Sequence, residues 1–483
     1  RYAGIGNTTG CCNNMIGRGA GQCANITGLH NTFIGTYAGK CATGSGNNNN
    51  FIGCYAGKFN TTGFVNNFIG YRSGCSNTTG NLNVFIGRCV GAANTTGSYN
   101  IFLGNDAGRG NTSGGCNIFL GNCAGGQSAV TGNDNITIGC YSGKNLTGGA
   151  NNIFLGKDSA STGVVTGNNN ITIGCKSGRL LTSGASNVFV GTYSGASGSA
   201  VTGSYNLAMG ENAGKNITSG CENVILGYES GKQIQAGYNN TFLGARAGRC
   251  ANGATSNVVA GGNAAHYLTG DSNVIIGSTS GHCMTSGECN VLLGKTTGKC
   301  ITTGDNNIMS GLNAGFTGIA QSNNVILGNS AGYANNAADN IFIGRASGYS
   351  NSSGCYNVFF GRCAGYDSSD GMRNVFMGCM SGGNATSGND NVFLGSCAGG
   401  GGTVTGDDNV ALGNAAGKLL TSGAGNIFLG KGAGDAVTTG SNNVIIGDIA
   451  GTTTLADTII MGDGAGNERL RINSAGSVGI GTD

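Results

Sequence analysis

The residues with reactive side chains are few in kind. The chain has 483 residues and holds 20 cysteines but only three histidines, His30, His266 and His282, far apart in sequence. No Cys-x-x-Cys pair occurs, so ligand spacing argues against zinc, and no cofactor is expected. Cys23 and Cys41, and again Cys283 and Cys300, stand at matching places in neighbouring stretches of sequence. They are candidates for structural disulfides if those stretches stack, and small half-buried fillers otherwise. Asn-x-Ser/Thr triplets are frequent, among them those that begin at Asn25, Asn60, Asn77, Asn94, Asn111, Asn145, Asn216, Asn351 and Asn384. They are candidate N-glycosylation sites, although loops made of Asn, Ser and Thr generate such triplets by composition alone. Lys or Arg often follows a glycine directly, as at Lys40, Lys58, Arg109 and Lys299. This sparse basic stripe suits an anionic polysaccharide, or simply solubility. No Ser/His/Asp set, paired carboxylate or phosphate-cradling glycine loop recurs, so no enzyme is expected.

All of these residues are placed by a repeat of about seventeen residues. The pentad Asn100-Ile101-Phe102-Leu103-Gly104 returns as Asn117-Ile118-Phe119-Leu120-Gly121 and as Asn357-Val358-Phe359-Phe360-Gly361. It occurs 26 times between Gly17 and Gly447, always with Asn four residues before the glycine, and a weaker copy ends at Gly462. A short period over the whole length means stacked coils rather than separate globules. With the pentad glycine as position zero, −3 and −1 are mostly Val, Ile or Leu, and −2 is Phe in fourteen copies. Position +3 is almost always Ala or Ser, +4 is Gly, and a polar loop then ends in Thr-Gly or Ser-Gly. Insertions such as Ala196-Ser197-Gly198 fall in that loop, which marks it as an exposed edge.

Apolar residues between Asn and Gly predict one short strand per coil. Alternation sends −3 and −1 to one face and −2 to the other. Both faces are apolar, and a single coil is too small to cover both. The expectation is therefore that −3 and −1 fill the coil's own core. The Phe column (Phe33, Phe85, Phe102, Phe119, Phe154, Phe189, Phe342, Phe359, Phe393, Phe428) is then expected to pack against other copies of the chain. The Asn residues at −4, including Asn31, Asn83, Asn100, Asn117, Asn187, Asn223, Asn273, Asn340, Asn357, Asn391 and Asn426, are expected to form a hydrogen-bonded ladder. Asn135 and Asn170 match the glycosylation triplet too, but they belong to that packed ladder.

Composition excludes several classes. Glycine numbers 98 and proline is absent, so collagen and proline-rich linkers are out. A stacked parallel structure uses nearly every backbone N–H, which proline lacks. Charged residues are 9% and the net charge is +3, too little for a nucleic-acid binder. No apolar run is long enough to span a membrane as a helix.

The Asn-x-apolar-apolar-Gly pentad followed by x-x-Ala-Gly resembles the head repeats of trimeric autotransporter adhesins. It resembles more closely the Asn/Thr/Gly repeats of phage and large-virus tail fibres. The segment Glu468-Arg469-Leu470-Arg471-Ile472-Asn473-Ser474-Ala475-Gly476-Ser477-Val478-Gly479-Ile480-Gly481-Thr482 is similar to the stretch that precedes a self-cleaving chaperone domain in many such fibres. The resemblance implies an extracellular or virion-surface homotrimer. The expected architecture is an all-β parallel β-solenoid, or β-roll, of about 27 coils. Residues 1–12 would form a partial coil, 13–451 the array, and 452–483 an atypical coil leading to a removed chaperone. The opening Arg1-Tyr2-Ala3-Gly4 matches mid-repeat, so a longer gene product is expected. The expected role is the structural shaft of a viral or phage appendage, with a cell-made filament or adhesin bearing glycosylated loops as the alternative. Self-association is the expected partnership.

Overall fold

A computed structural model describes every residue except 24, 196, 197, 482 and 483. The insertion at 196–197 and the terminal Thr482 therefore lie outside the described residues. The chain is all-β, with no helix among the described residues, and forms a parallel β-solenoid with one three-residue strand per coil. It divides into two compact units, Arg1–Ala245 and Arg246–Asp483.

The first unit stacks fourteen strands, β1 (Asn14–Ile16) to β14 (Thr241–Leu243). Each pairs in parallel with its successor and in strict register, so Phe85 lies opposite Phe102 and Phe102 opposite Phe119. The second unit continues the pattern from β15 (Val258–Ala260) to β26 (Val444–Ile446) and β27 (Ile459–Gly462). The chain then reverses. β28 (Glu468–Ile472) pairs antiparallel with β27, and β29 (Val478–Ile480) antiparallel with β28. The segment that resembles the pre-chaperone motif thus closes this unit as an antiparallel meander. Bidentate pairing of Arg471 with Glu468, at 2.7 and 2.6 Å, holds its first strand, and Asp463 is held well below the usual carboxylate range by hydrogen bonds from Asn467 and Arg469.

Stacking extends beyond the strands. Gly57 N–H donates to Ser73 O, Gly74 N–H to Val90 O and Thr78 N–H to Thr95 O, each at 2.9 Å. With corner and loop amides also spoken for, the absence of proline follows. Serine at +3 adds a bond of its own: Ser73 Oγ donates to Phe85 O at 2.9 Å, and Ser177 Oγ to Phe189 O at 2.8 Å.

The strand face is the reverse of the expected one. Phe85, Phe102, Phe119, Phe154, Phe189, Phe342, Phe359, Phe393 and Phe428 are wholly buried and Phe33 nearly so, all inside their own coils. They are no inter-chain column. From Phe33 to Phe119 the rings of successive coils stack with centroids 4.5–5.0 Å apart and tilts of 4–9°. The outward residues are −3 and −1, as with Ile101 at 40% exposure and Phe360 at 50%. Volume is the physical reason. A narrow coil has room for one large side chain from its strand, and the opposite wall is hollowed to receive it. A Cβ added at Gly57 (+4) would stand 2.4 Å from Phe51 Cδ2. The anchoring glycine serves stacking instead: at Gly53 φ is +134° and an added Cβ would meet Gly70 O at 2.4 Å.

This packing separates two neighbouring residues sharply. Phe102→Ala should empty part of the stack and cost about 3–5 kcal/mol, whereas Ile101→Ala, half exposed, should cost about 1 kcal/mol or less. Amide hydrogen exchange in the strands on either side will read the difference. Equal loss of protection would contradict the inward ring.

Candidate functional site

The chemistry of each coil is distributed into columns, because every register position repeats along the stack. Three columns have functional content.

The first is the asparagine ladder at −4. All eleven expected members, from Asn31 to Asn426, are buried. The backbone N–H of Asn100 donates to Asn83 Oδ1 at 3.0 Å, and that of Asn117 to Asn100 Oδ1 at 2.9 Å. The side-chain nitrogen reaches sideways: Asn100 Nδ2 donates to Gly114 O, the end of its own polar loop, at 2.9 Å. One amide therefore joins coil to coil and closes each coil on itself. Asn135 and Asn170 are buried members, as expected.

A second, interior ladder was missed in the sequence. Asn60, Asn77, Asn94, Asn111 and Asn351, all at +7, are buried. Asn77 Nδ2 donates to Asn60 Oδ1 and Asn94 Nδ2 to Asn77 Oδ1, each at 2.7 Å, and each of the four also donates to the glycine three residues on. A folded acceptor needs an exposed amide, so these five are not glycosylation sites in the native protein. Asn25, Asn145, Asn216 and Asn384, one register step away, reach the surface. Asn335 precedes Asn351 at +7 and accepts from its Nδ2 at 2.6 Å, and the buried Ser368 follows; many other coils place an apolar residue there, as at Leu146, Leu181 and Ile301. Polar residues keep to contiguous runs because an amide beside leucine would lose its partner. The two places where runs stop carry that cost: Asn111 Oδ1 and Asn351 Oδ1 are buried without a hydrogen bond.

The third column is the surface. On either side of each strand lie positions with positive φ, at −5 and +2. In the second unit the end before the strand is acidic: seven carboxylates, from Asp271 to Asp408, occupy −6 or −5. Several also bond the preceding coil, as Asp305 Oδ1 accepts from Glu288 N at 2.8 Å. The end after the strand is basic in both units, since +5 of one coil lies against +1 and +2 of the next.

The remaining candidates fall into place around these columns. Cys23 and Cys41 are both thiols, their sulfurs 3.0 Å apart, and burial pushes the Cys41 thiol up. Cys283 and Cys300 occupy the same register in the second unit, and burial again raises Cys283. The sulfurs of the first pair stand where an oxidant could join them. His266 and His282, far apart in sequence, are neighbours in space with ring centroids 5.1 Å apart; His282 Nδ1 lies 3.0 Å from Asn263 O. Among the described residues no three His, Cys, Asp or Glu converge on a metal position, and no helix is long and apolar enough to cross a membrane. Compared with known proteins, the chain matches no family model and finds no relative among curated proteins.

The interior ladder makes an uncommon prediction. Asn94→Leu alone strands partners on both sides and should cost about 1–3 kcal/mol. Replacing Asn60, Asn77, Asn94 and Asn111 together by Leu should recover much of that loss. Denaturation midpoints of the two variants test it; additive losses across the four sites would refute the ladder.

Proposed function

We propose that the protein is a non-enzymatic structural fibre: the shaft of a viral or phage appendage, on a virion or extracellular surface, holding an attachment tip. In this reading parallel copies of the chain assemble side by side, three in the simplest case. The observation that carries it is the outward apolar strip at −3 and −1. In the fourteen-strand first unit nine coils, from Val84 to Leu226, carry two part-exposed apolar side chains there, and the other five carry one at −1 beside Asn or Thr at −3. Contiguous exposed apolar patches, which on ordinary monomers reach about 300–600 Å², commonly mark interaction surfaces. The strip's pitch is that of stacked strands, about 4.8 Å. A second copy of the chain has the same pitch and covers it coil for coil.

Charge supports one orientation. In the second unit eight of eleven Lys and Arg lie at +1, +2 or +5, against the seven carboxylates at −6 and −5. A copy rotated about the stacking direction sets its acidic strand ends against the first copy's basic ones. A reversed copy sets like charge against like, which is unfavourable. Parallel assembly is the arrangement that pairs them.

A cell-made filament with glycosylated loops is the second reading, favoured by the surface position of Asn25, Asn145, Asn216 and Asn384. Glycopeptide mass spectrometry of the native protein separates the two: glycans on these four support the cellular origin, and bare peptides support the phage origin.

Sedimentation at micromolar concentration should give three times the chain mass of 47.7 kDa. Ile101→Asp with Leu103→Asp should shift the population toward single chains while amide protection of Phe102 persists. A wild-type protein that stays a single chain would overturn the assembly.

A further inference from the structure

The basic edge of the first unit is more than a solubility device. Residues 1–105 contain no Asp or Glu at all. Across Arg1–Ala245, twelve of the thirteen Lys and Arg lie at +1, +2 or +5, on the one edge that follows the strand. None of the twelve is buried. Cations meant only to keep copies apart would serve as well on both edges; here they are concentrated, which raises the local potential.

Aromatic residues are interleaved with them. A groove of about 270 Å³ is lined by Tyr55, Lys58, Phe59, Tyr71, Arg72 and Ser76. A second, of about 290 Å³, repeats the arrangement farther on with Tyr141, Lys144, Lys176 and Arg179, and includes Asp158. Contact with the Cys75 sulfur raises the Arg72 guanidinium, which stays charged. Most of the ring faces are already engaged, although Tyr71 stands 47% exposed: Lys40 sits 4.5 Å from the Tyr37 centroid, Lys58 lies 4.4 Å from Phe59 and 5.4 Å from Tyr55, and Tyr37 stacks on Tyr55. Bases of a single-stranded nucleic acid need open aromatic faces. What these grooves offer instead is ammonium, guanidinium and hydroxyl donors in a line that follows the coil pitch.

We propose that this edge is a binding track for a linear acidic glycan, carboxylated or sulfated, whose anionic groups meet Lys58 and Arg72 in the first groove and Lys144, Lys176 and Arg179 in the second. The full-length protein should bind fluorescein-labelled heparin and polygalacturonate in low salt, and binding should weaken steeply as salt rises. Neutral dextran should not bind, and labelled poly(dT) should bind at least about tenfold more weakly. Lys58→Glu with Arg72→Glu should reduce glycan affinity about tenfold or more, while Lys418→Glu with Lys431→Glu in the second unit should change it less than about twofold. Should the first double variant fold poorly by circular dichroism, Lys58→Gln with Arg72→Gln, which adds no charge, should still lose several-fold. Equal losses from both units, no binding to either acidic glycan, or poly(dT) binding as tight as heparin would each overturn the proposal.

Discussion

The side-chain amide of one asparagine is the constraint on which the rest depends. At −4 its oxygen accepts the backbone N–H of the next coil's asparagine, and its nitrogen donates to the carbonyl that ends its own loop. Aspartate has no donor for the second bond, leucine has neither group, and glutamine is a methylene too long for the register. A buried amide must meet both demands or pay a desolvation penalty comparable to a lost hydrogen bond. Twenty-six copies accordingly carry no substitute. The stacked rings at −2 are larger and contribute more by burial, yet the position also holds Ile, Leu, Val, Met, Thr and Ala. Dispersion has no direction, so any apolar shape of tolerable volume serves. The invariant position is the directional one.

Glycine completes the geometry. Coils stack so closely that backbone itself occupies the place of a side chain at the pentad glycine, and the glycine at +4 leaves the hollow that the ring fills. The pentad glycine is never replaced, and at +4 Ala160 and Ala265 are the replacements, with no larger residue. The left-handed positions at −5 and +2 differ: most of their side chains reach solvent, with Cys89, Asp106 and Glu229 among the buried ones, and Asn, Asp, Tyr, Cys, Ser and Arg all occur there with φ near +57°. The backbone N–H of these residues donates to the preceding coil, as Tyr99 N–H does to Asn81 O at 2.9 Å, which holds the conformation and offsets its strain.

Most of the architecture was legible because it rests on period and residue class. The coil length, the single strand, the parallel stack and the −4 ladder follow from Asn, Gly and alternation. Alternation says that two faces differ; it does not say which is inside. The decisive signal lay across the coil, where Ala38 or Ala107 at +3 and Gly57 or Gly108 at +4 leave room for one ring alone. The glycosylation triplets failed in a related way. Asn94 and Asn145 look alike in sequence, yet they stand at +7 and +6, and one residue of register turns a side chain from core to solvent. His266 and His282 were separated for the same reason, since sixteen residues of sequence are one step of the stack.

Stacking also changes what a scattered charge means. Lys58 and Arg72 are fourteen residues apart, and a reading along the chain counts two isolated cations. In the solenoid they share a groove with Tyr55 and Tyr71. A repeat of this kind maps each register position onto its own line along the stack, so the lines answer to different constraints. The interior columns are fixed by satisfied amides and filled volume. The −3 and −1 positions need only stay aliphatic to keep the outer strip apolar. The edge after the strand touches neither core nor strip, which leaves its charge free to vary. That freedom is visible in the composition: the first unit keeps the edge basic with few acids anywhere, while the second adds carboxylates at the opposite strand end on an unchanged core. Two units with the same fold can therefore present different surfaces, because where a second-unit carboxylate bonds the preceding coil, as Asp305 does, it takes a bond that Asn81 or Ser98 makes in the first unit.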